Sequence, residues 1–391
     1  MEDEAARGPR RPPRRHLRSR LGLLALLAVA IGVGALTSHR STPGPSPPAK
    51  PAVGGEQFGV NTGRLFNGQI YSLAVIEAQL GALHAAGATL ARSDASWEAS
   101  EPQPPNGNLH HYDWSFDDLI AGALAANGLT WLPVIDYSPP WARSIAGQDH
   151  SAPDPAEYAA YAAAVAARYG TGGSFWRSHP QLPEHPVDTY EIWNEPDNAV
   201  FWVPKPDPAT YADLYLRARS AIDSVQPDAR VIVGGLTHPE TFLPALLSAA
   251  PSLRGALDGV AIHPYGPTPQ AVLANVVSAR NALNSLGLGD VPLYVTEFGW
   301  TTSPPGALDY LSERLRPGYI EQTIDELGHT NCGLAAAILY AWVTPERNPQ
   351  DSQDWFGIHP PGGAATPDVA AFTQGVRAAT APGATTAACA G

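Results

Sequence analysis

Between Phe58 and Ala379 short apolar segments alternate eight times with longer segments of helical period, and this alternation restricts the fold more than any other feature of the chain. Predicted strands are Phe58–Asn61, Thr89–Ser93, Trp131–Ile135, Thr189–Asn194, Arg230–Gly234, Gly259–Ile262, Leu293–Thr296 and Ala336–Tyr340. The helices after them are predicted over Tyr71–Ala86, Phe116–Ala126, Pro155–Tyr169, Pro208–Val225, Glu240–Ala250, Pro269–Leu286, within Leu308–Leu327, and over Asp368–Ala379. In the first helix Leu73, Ile76, Leu80 and Leu83 recur on one face. Strands of this kind, each followed by an amphipathic helix, require a parallel sheet covered by helices. Eight such units within roughly 320 residues fit a closed α/β barrel, the (β/α)8 TIM barrel, as a single catalytic domain over residues 57–380. No G-x-G-x-x-G or Walker pattern follows any strand, as an open doubly wound sheet would carry. Polar and aromatic residues end nearly every strand instead.

Ahead of the barrel the chain reads as a targeting segment. Residues 1–20 hold seven of the arginines and face only Glu2, Asp3 and Glu4, and an uncharged run follows from Leu21 to Leu36. That run, within residues 21–38, is just short of the roughly 20 residues that span a bilayer. Positive charge before it predicts a cytoplasmic N-terminus and an exported body. The run serves either as a signal anchor, which ties the body to the membrane, or as the apolar region of a signal peptide cleaved near Val33-Gly34-Ala35. Residues 39–56 form a Pro-rich, extended linker. Cys332 and Cys389, the second in a C-terminal tail over residues 381–391, are the only cysteines; a disulfide and two free thiols both remain open.

The whole chain carries a net charge of −13, and the body without its Arg-rich start is more acidic still. Such a surface repels phosphates, which excludes nucleic acid as a partner and favours a neutral substrate. The sequence does not specify an oligomeric state.

Two predicted strands end on a carboxylate. The fourth breaks off at Asn194-Glu195-Pro196, and the seventh ends at Thr296-Glu297-Phe298. In a barrel all strand ends converge on one face, so Glu195 and Glu297 meet there. A pair of carboxyl groups on one face is what glycoside hydrolysis needs: one protonates the leaving oxygen, and the other attacks the anomeric carbon or activates water. Trp193 and Pro196 beside Glu195 offer an apolar wall that raises its pKa, which suits the acid. Glu297, as nucleophile, needs donors that keep it ionised. Arg92, at the end of the second strand, is one candidate, and Tyr265 after the sixth is another. His263 is placed to contact a sugar hydroxyl, and Asn194 to bond the sugar 2-hydroxyl. Trp342 and Trp141 are the expected stacking platforms for sugar, with Tyr137 and Trp300 in support. No metal or organic cofactor is expected, since no ligand cluster with the spacing of a metal site is present; a metal-dependent hydrolase would have to use His238, His263 and an aspartate.

Y-E-I-W-N-E-P-D from Tyr190 to Asp197, H-P-Y at His263 to Tyr265, T-E-F-G-W at Thr296 to Trp300 and the strand-8 Trp342 together resemble the clan A retaining glycoside hydrolases. Within that clan the first stretch is similar to glycoside hydrolase family 39, whose signature reads aromatic-acid-x-W-N-E-P-acid; Asp188 stands where that pattern has Trp. The resemblance implies a (β/α)8 barrel with Glu195 as acid/base and Glu297 as nucleophile, acting on β-linked oligo- or polysaccharide with retention. A family 5-like endo-β-glucanase or mannanase, and a catalytically silent carbohydrate-binding barrel, are the alternatives.

Overall fold

The computed structural model of the chain describes residues 57–383 and 385–389. The basic start, the apolar run and the whole Pro-rich linker lie outside them. Among the described residues no helix is long and apolar enough to cross a membrane.

Eight parallel strands close into a barrel in chain order: β1 (Gln57–Asn61), β2 (Leu90–Ser96), β3 (Thr130–Asp136), β4 (Thr189–Ile192), β5 (Arg230–Leu236), β6 (Val260–Ile262), β7 (Leu293–Phe298) and β8 (Leu334–Leu339). Pairing of Gly59 with both Leu90 and Ile338 shuts the ring between β2 and β8. The fold class is the one the alternation predicts. The eight covering helices are α1 (Leu73–Ala85), α2 (Ser115–Ala126), α3 (Pro155–Tyr169), α4 (Pro208–Val225), α5 (Pro239–Ala249), α6 (Pro269–Ser285), α7 (Arg316–Gly328) and α8 (Pro367–Thr380). Five of them start with a polar residue and then proline, and in four the polar side chain caps the first turn. Asp154, Asp207, Thr268 and Thr366 each accept a hydrogen bond from a first-turn N–H, and the proline that follows supplies a preset helical φ where no N–H is needed.

Side chains alternate across each strand, so every strand has one face in the barrel and one against the helices. Leu90, Ile232, Ala261, Tyr294, Ala335 and Ala336 make a small buried cluster separate from the large core that the outer faces share with the helices. Above this apolar floor the lining turns polar. Two strands differ from expectation in length, with consequences for the site: β2 continues to Ser96, so Arg92 sits inside it rather than at its end, and β4 stops at Ile192, two residues before Asn194.

Cys332 and Cys389 are bonded across a sequence separation of 57. Asn331 reinforces the join: its side chain donates to the Cys389 carbonyl and accepts from the Cys389 N–H. The bond fastens the tail at the start of β8, the end of the barrel remote from the convergent strand ends. A loop of this length makes a cross-link worth roughly 2–4 kcal/mol through the unfolded state. Reduction, or C332S with C389S, is therefore expected to lower the melting temperature by several degrees in calorimetry; identical traces with and without reductant would contradict this.

Candidate active site

The strand ends surround a cavity of about 950 Å³. Glu195, Glu297, Asn194, Arg92, His263, Tyr265 and Tyr137 all line it. At its base the Arg92 guanidinium donates from Nε to Glu191 Oε2 (2.8 Å), from Nη1 to Glu297 Oε1 (2.6 Å), and from Nη2 to Glu191 Oε1 (3.1 Å) and Asn194 Oδ1 (2.9 Å). Glu191 is fully buried and was not singled out from sequence, although a carboxylate inside an apolar strand was its signal. It also accepts from the Gly235 N–H (2.8 Å) and the Thr296 hydroxyl (3.3 Å). Burial opposes the charge on Arg92, and the Glu191 and Glu297 carboxylates more than offset it, so its pKa stands well above the ordinary arginine value.

Glu297 has a donor on each oxygen. Arg92 holds Oε1, and the Tyr265 hydroxyl donates to Oε2 at 2.8 Å. These are the two donors expected for a carboxylate that must stay ionised.

Glu195 reaches the cavity through an unusual backbone. Trp193 and Glu195 have φ of 66° and 45°, in the left-handed region that side chains seldom adopt. The turn throws Glu195 back over the barrel mouth. Its Oε1 lies 2.8 Å from His263 Nδ1, and Asn198 Nδ2 donates to Oε2 at 2.7 Å. Two glycines in β5 make this possible: a Cβ on Gly234 would stand 2.1 Å from the Trp193 carbonyl oxygen, and one on Gly235 would stand 2.0 Å from His263 Nε2. Asp197, next but one to Glu195, accepts from the N–H groups of Thr237 and His238 and ties this turn to the start of α5.

The apolar wall expected to raise the Glu195 pKa is outweighed. Burial pushes the carboxyl up, but the His263 hydrogen bond and charge, Asn198 and Arg92 bring it below the usual value. His263 responds in the opposite sense. Burial pushes it down, and Glu297 together with Glu195 lifts it above the ordinary histidine value. His263 therefore faces the acid/base candidate rather than a substrate hydroxyl. Its Nε2 lies 3.1 Å from Thr296 Oγ1, whose proton goes to Glu191. Nε2 thus carries a hydrogen, and Nδ1 and Glu195 share one proton between them.

Three tryptophans expected as sugar platforms lie elsewhere. Trp342 is fully buried and donates to Gln79 Oε1 on α1, because β8 ends at Leu339 and the chain has turned outward by residue 342. Trp300 is buried against the Gly266 carbonyl, and Trp141 donates to the Glu101 carbonyl beside Trp97. Tyr137, Phe201, Tyr265, Tyr340 and Phe356 supply the aromatic lining. Asp188 is exposed before the first residue of β4, far along the strand from Glu195.

Glu195, His263 and Glu297 each offer an atom within 4.8 Å of the other two, which places carboxylate oxygens of the pair within that distance. This is also the one group among the described residues able to hold a metal ion, and His238, exposed after β5, is not part of it.

No protein-family model matches the sequence, and no curated protein does. Solved structures are similar in fold. A family 39 glycoside hydrolase from Bacteroides cellulosilyticus WH2 superposes with a TM-score of 0.61 at 20% identity, over 82% of this chain and 63% of that one. A monomeric β-xylosidase from Caulobacter crescentus CB15 gives 0.64 at 20%, over 83% and 68%. An exo-β-1,4-mannosidase from Opitutaceae bacterium strain TAV5 gives 0.58 at 18%, over 88% and 64%. The chain thus spans about two thirds of the length of these structures and shares their barrel.

The Glu195–His263 pair carries a pH dependence whose sign follows from the two shifts. The depressed Glu195 pKa stabilises the fold above the unfolded carboxylate value, about 4.3, and that gain is lost as pH falls through the folded value. The raised His263 pKa stabilises below the unfolded histidine value, about 6.5, and that gain is lost as pH rises through the folded value. The melting-temperature difference between wild type and H263N is expected to be largest between about pH 4.3 and 6.5 and to shrink on both sides. A difference that stays flat from pH 4 to 9 would show that the pair is not ionised as described.

Proposed function

We propose that the protein is an exported retaining glycoside hydrolase that cleaves β-glycosidic bonds in oligo- or polysaccharide by double displacement. The observation that carries this reading is the approach of one Glu195 carboxylate oxygen to within 4.8 Å of one Glu297 oxygen across the barrel mouth, which supports the shorter of the two spacings that glycosidases use. Retaining glycosidases hold their carboxyl groups about 5–5.5 Å apart, whereas inverting ones leave about 6.5–9.5 Å for a water between them.

The differing surroundings of the two glutamates support a division of roles. Glu297, bonded by Arg92 and Tyr265, is the nucleophile that attacks the anomeric carbon. Glu195, sharing a proton with His263, gives that proton to the leaving oxygen, and the resulting carboxylate then takes a proton from the water that releases the sugar from Glu297. Neutralising Glu297 as the glycosyl-enzyme forms removes the largest influence that raises His263, which favours release of the shared proton to the leaving oxygen. Asn194, fixed by Arg92, presents its amide hydrogens to the sugar 2-hydroxyl.

Export is supported by the Arg-rich start with its apolar run, which would act as a membrane tether or a signal, and by the Cys332–Cys389 bond, a feature of oxidising compartments. A neutral carbohydrate fits an acidic body.

Turnover of aryl β-xylo-, gluco-, galacto- and mannosides tests the reading. E195Q and E297Q are each expected to lose about 10²–10⁴-fold or more in kcat. Proton NMR of the first-formed product should show the β-anomer, and a 2-fluoroglycoside should label Glu297. Sugar binding with no turnover of any glycoside would make the protein a binding barrel, and an α-anomeric product would rule out double displacement.

A further inference from the structure

Two acidic side chains on neighbouring strands are used by nothing described so far. Arg92 points into the barrel, so Asp94, two residues on, shares its face of β2. Asp136 closes β3, where it pairs with Ser96. It is wholly buried, and neither of its carboxylate oxygens meets a hydrogen-bond partner. Around it stand Asp94 and Arg92 from β2, Glu191 from β4, and Tyr158 and Tyr161 from α3. Arg92 spends its hydrogen bonds on Glu191, Asn194 and Glu297. Burial raises the pKa of both aspartates, and the charge of Asp94 raises Asp136 further.

A carboxyl group placed this way costs the fold free energy without a compensating bond. Asp94, in contrast, is open to ligand. It lines the main cavity, and together with Asn67 and Tyr137 it also borders a second cavity of about 580 Å³. Asn67, which acts to lower the Asp94 pKa against burial, lines both cavities with it.

The position indicates which part of a substrate would meet it. Under the reading proposed above, Glu195 protonates the leaving oxygen, so the aglycone lies on its side of the mouth, among Phe201, Thr237 and His238 after β4 and β5. β1 and β2 stand across the ring from β5 and β6. We propose that Asp94 determines glycon specificity by accepting a hydrogen bond from a ring hydroxyl of the sugar bound at Glu297, and that Asp136 is a positioning residue that backs it. The assignment rests on the glycosidase reading and deepens it: the glycon is a neutral pyranose with a free hydroxyl toward β2 and β3.

Aryl β-glycosides lacking the 3-, 4- or 6-hydroxyl in turn provide the test, with kcat/KM measured for wild type, D94A and D94N and folding checked by melting temperature. One deoxy position is expected to cost wild type about 10- to 100-fold, the value of a hydrogen bond to a charged group, and to cost D94A nothing further. D94N serves the same comparison if D94A does not fold. For Asp136, D136A is expected to erase the discrimination at that position and D136N, which keeps the shape of the side chain, to restore it; D136S replaces D136A if the latter does not fold. Losses that multiply at every deoxy position while wild type turns over its glycosides would overturn the assignment alone. Discrimination unchanged in D136A would overturn the role of Asp136. Wild type inactive on every glycoside would overturn this assignment and the activity beneath it together.

Discussion

The site is built on one buried cation. Arg92 binds Glu191 on β4 and Glu297 on β7 from its place on β2, and so fixes three strands of the barrel against one another at the level where the cavity begins. Two charges removed from water are tolerated only if their hydrogen bonds are completed, and removing one partner of such a group costs about 3–5 kcal/mol. Completion comes from the Gly235 N–H and Thr296 on the Glu191 side and from Tyr265 on the Glu297 side. Asn194 takes the remaining reach of the guanidinium. A rigid, charged floor fixes the direction of the Glu297 carboxylate.

The acid/base candidate is held by different means. Its position depends on a backbone turn with two non-glycine residues at positive φ, a conformation that costs of order 1–3 kcal/mol per residue and persists only where the surroundings enforce it. Gly234 and Gly235 clear the space behind that turn, Asp197 ties it to α5, and His263 and Asn198 fix the carboxyl itself. One carboxylate is therefore set by a fixed cation and the other by a neighbour that can exchange a proton with it, the asymmetry on which the proposed division of roles rests.

The aromatic residues show where side-chain chemistry alone misleads. Tryptophan near a strand end suits sugar stacking, yet the same large apolar surface is equally suited to burial, and Trp342, Trp300 and Trp141 each spend the indole N–H on a partner in the core or a loop. Tyr340 is the strand-8 aromatic in the cavity, because it continues the inward alternation of Ala336 and Ile338 that Trp342 does not. Glu191 was missed for the converse reason. It was legible as a charge within an apolar run, but its role depends on Arg92, which is 99 residues away in sequence.

Local chemistry was enough to determine the barrel and the two glutamates. Alternating periods of two and 3.6 fix the elements, the Asn194-Glu195-Pro196 run marks the turn that follows β4, and a barrel gathers all strand ends on one face whatever the loops do. Tertiary structure decided what each site residue does. Whether a strand-end side chain points into the cavity depends on where the strand stops and on one residue of register, and whether its pKa rises or falls depends on neighbours from other strands. Glu195 illustrates both: its sequence context suggested an apolar wall, while the folded chain sets His263 against it and reverses the shift. Contacts between residues so far apart in sequence are fixed only when the ring of strands closes.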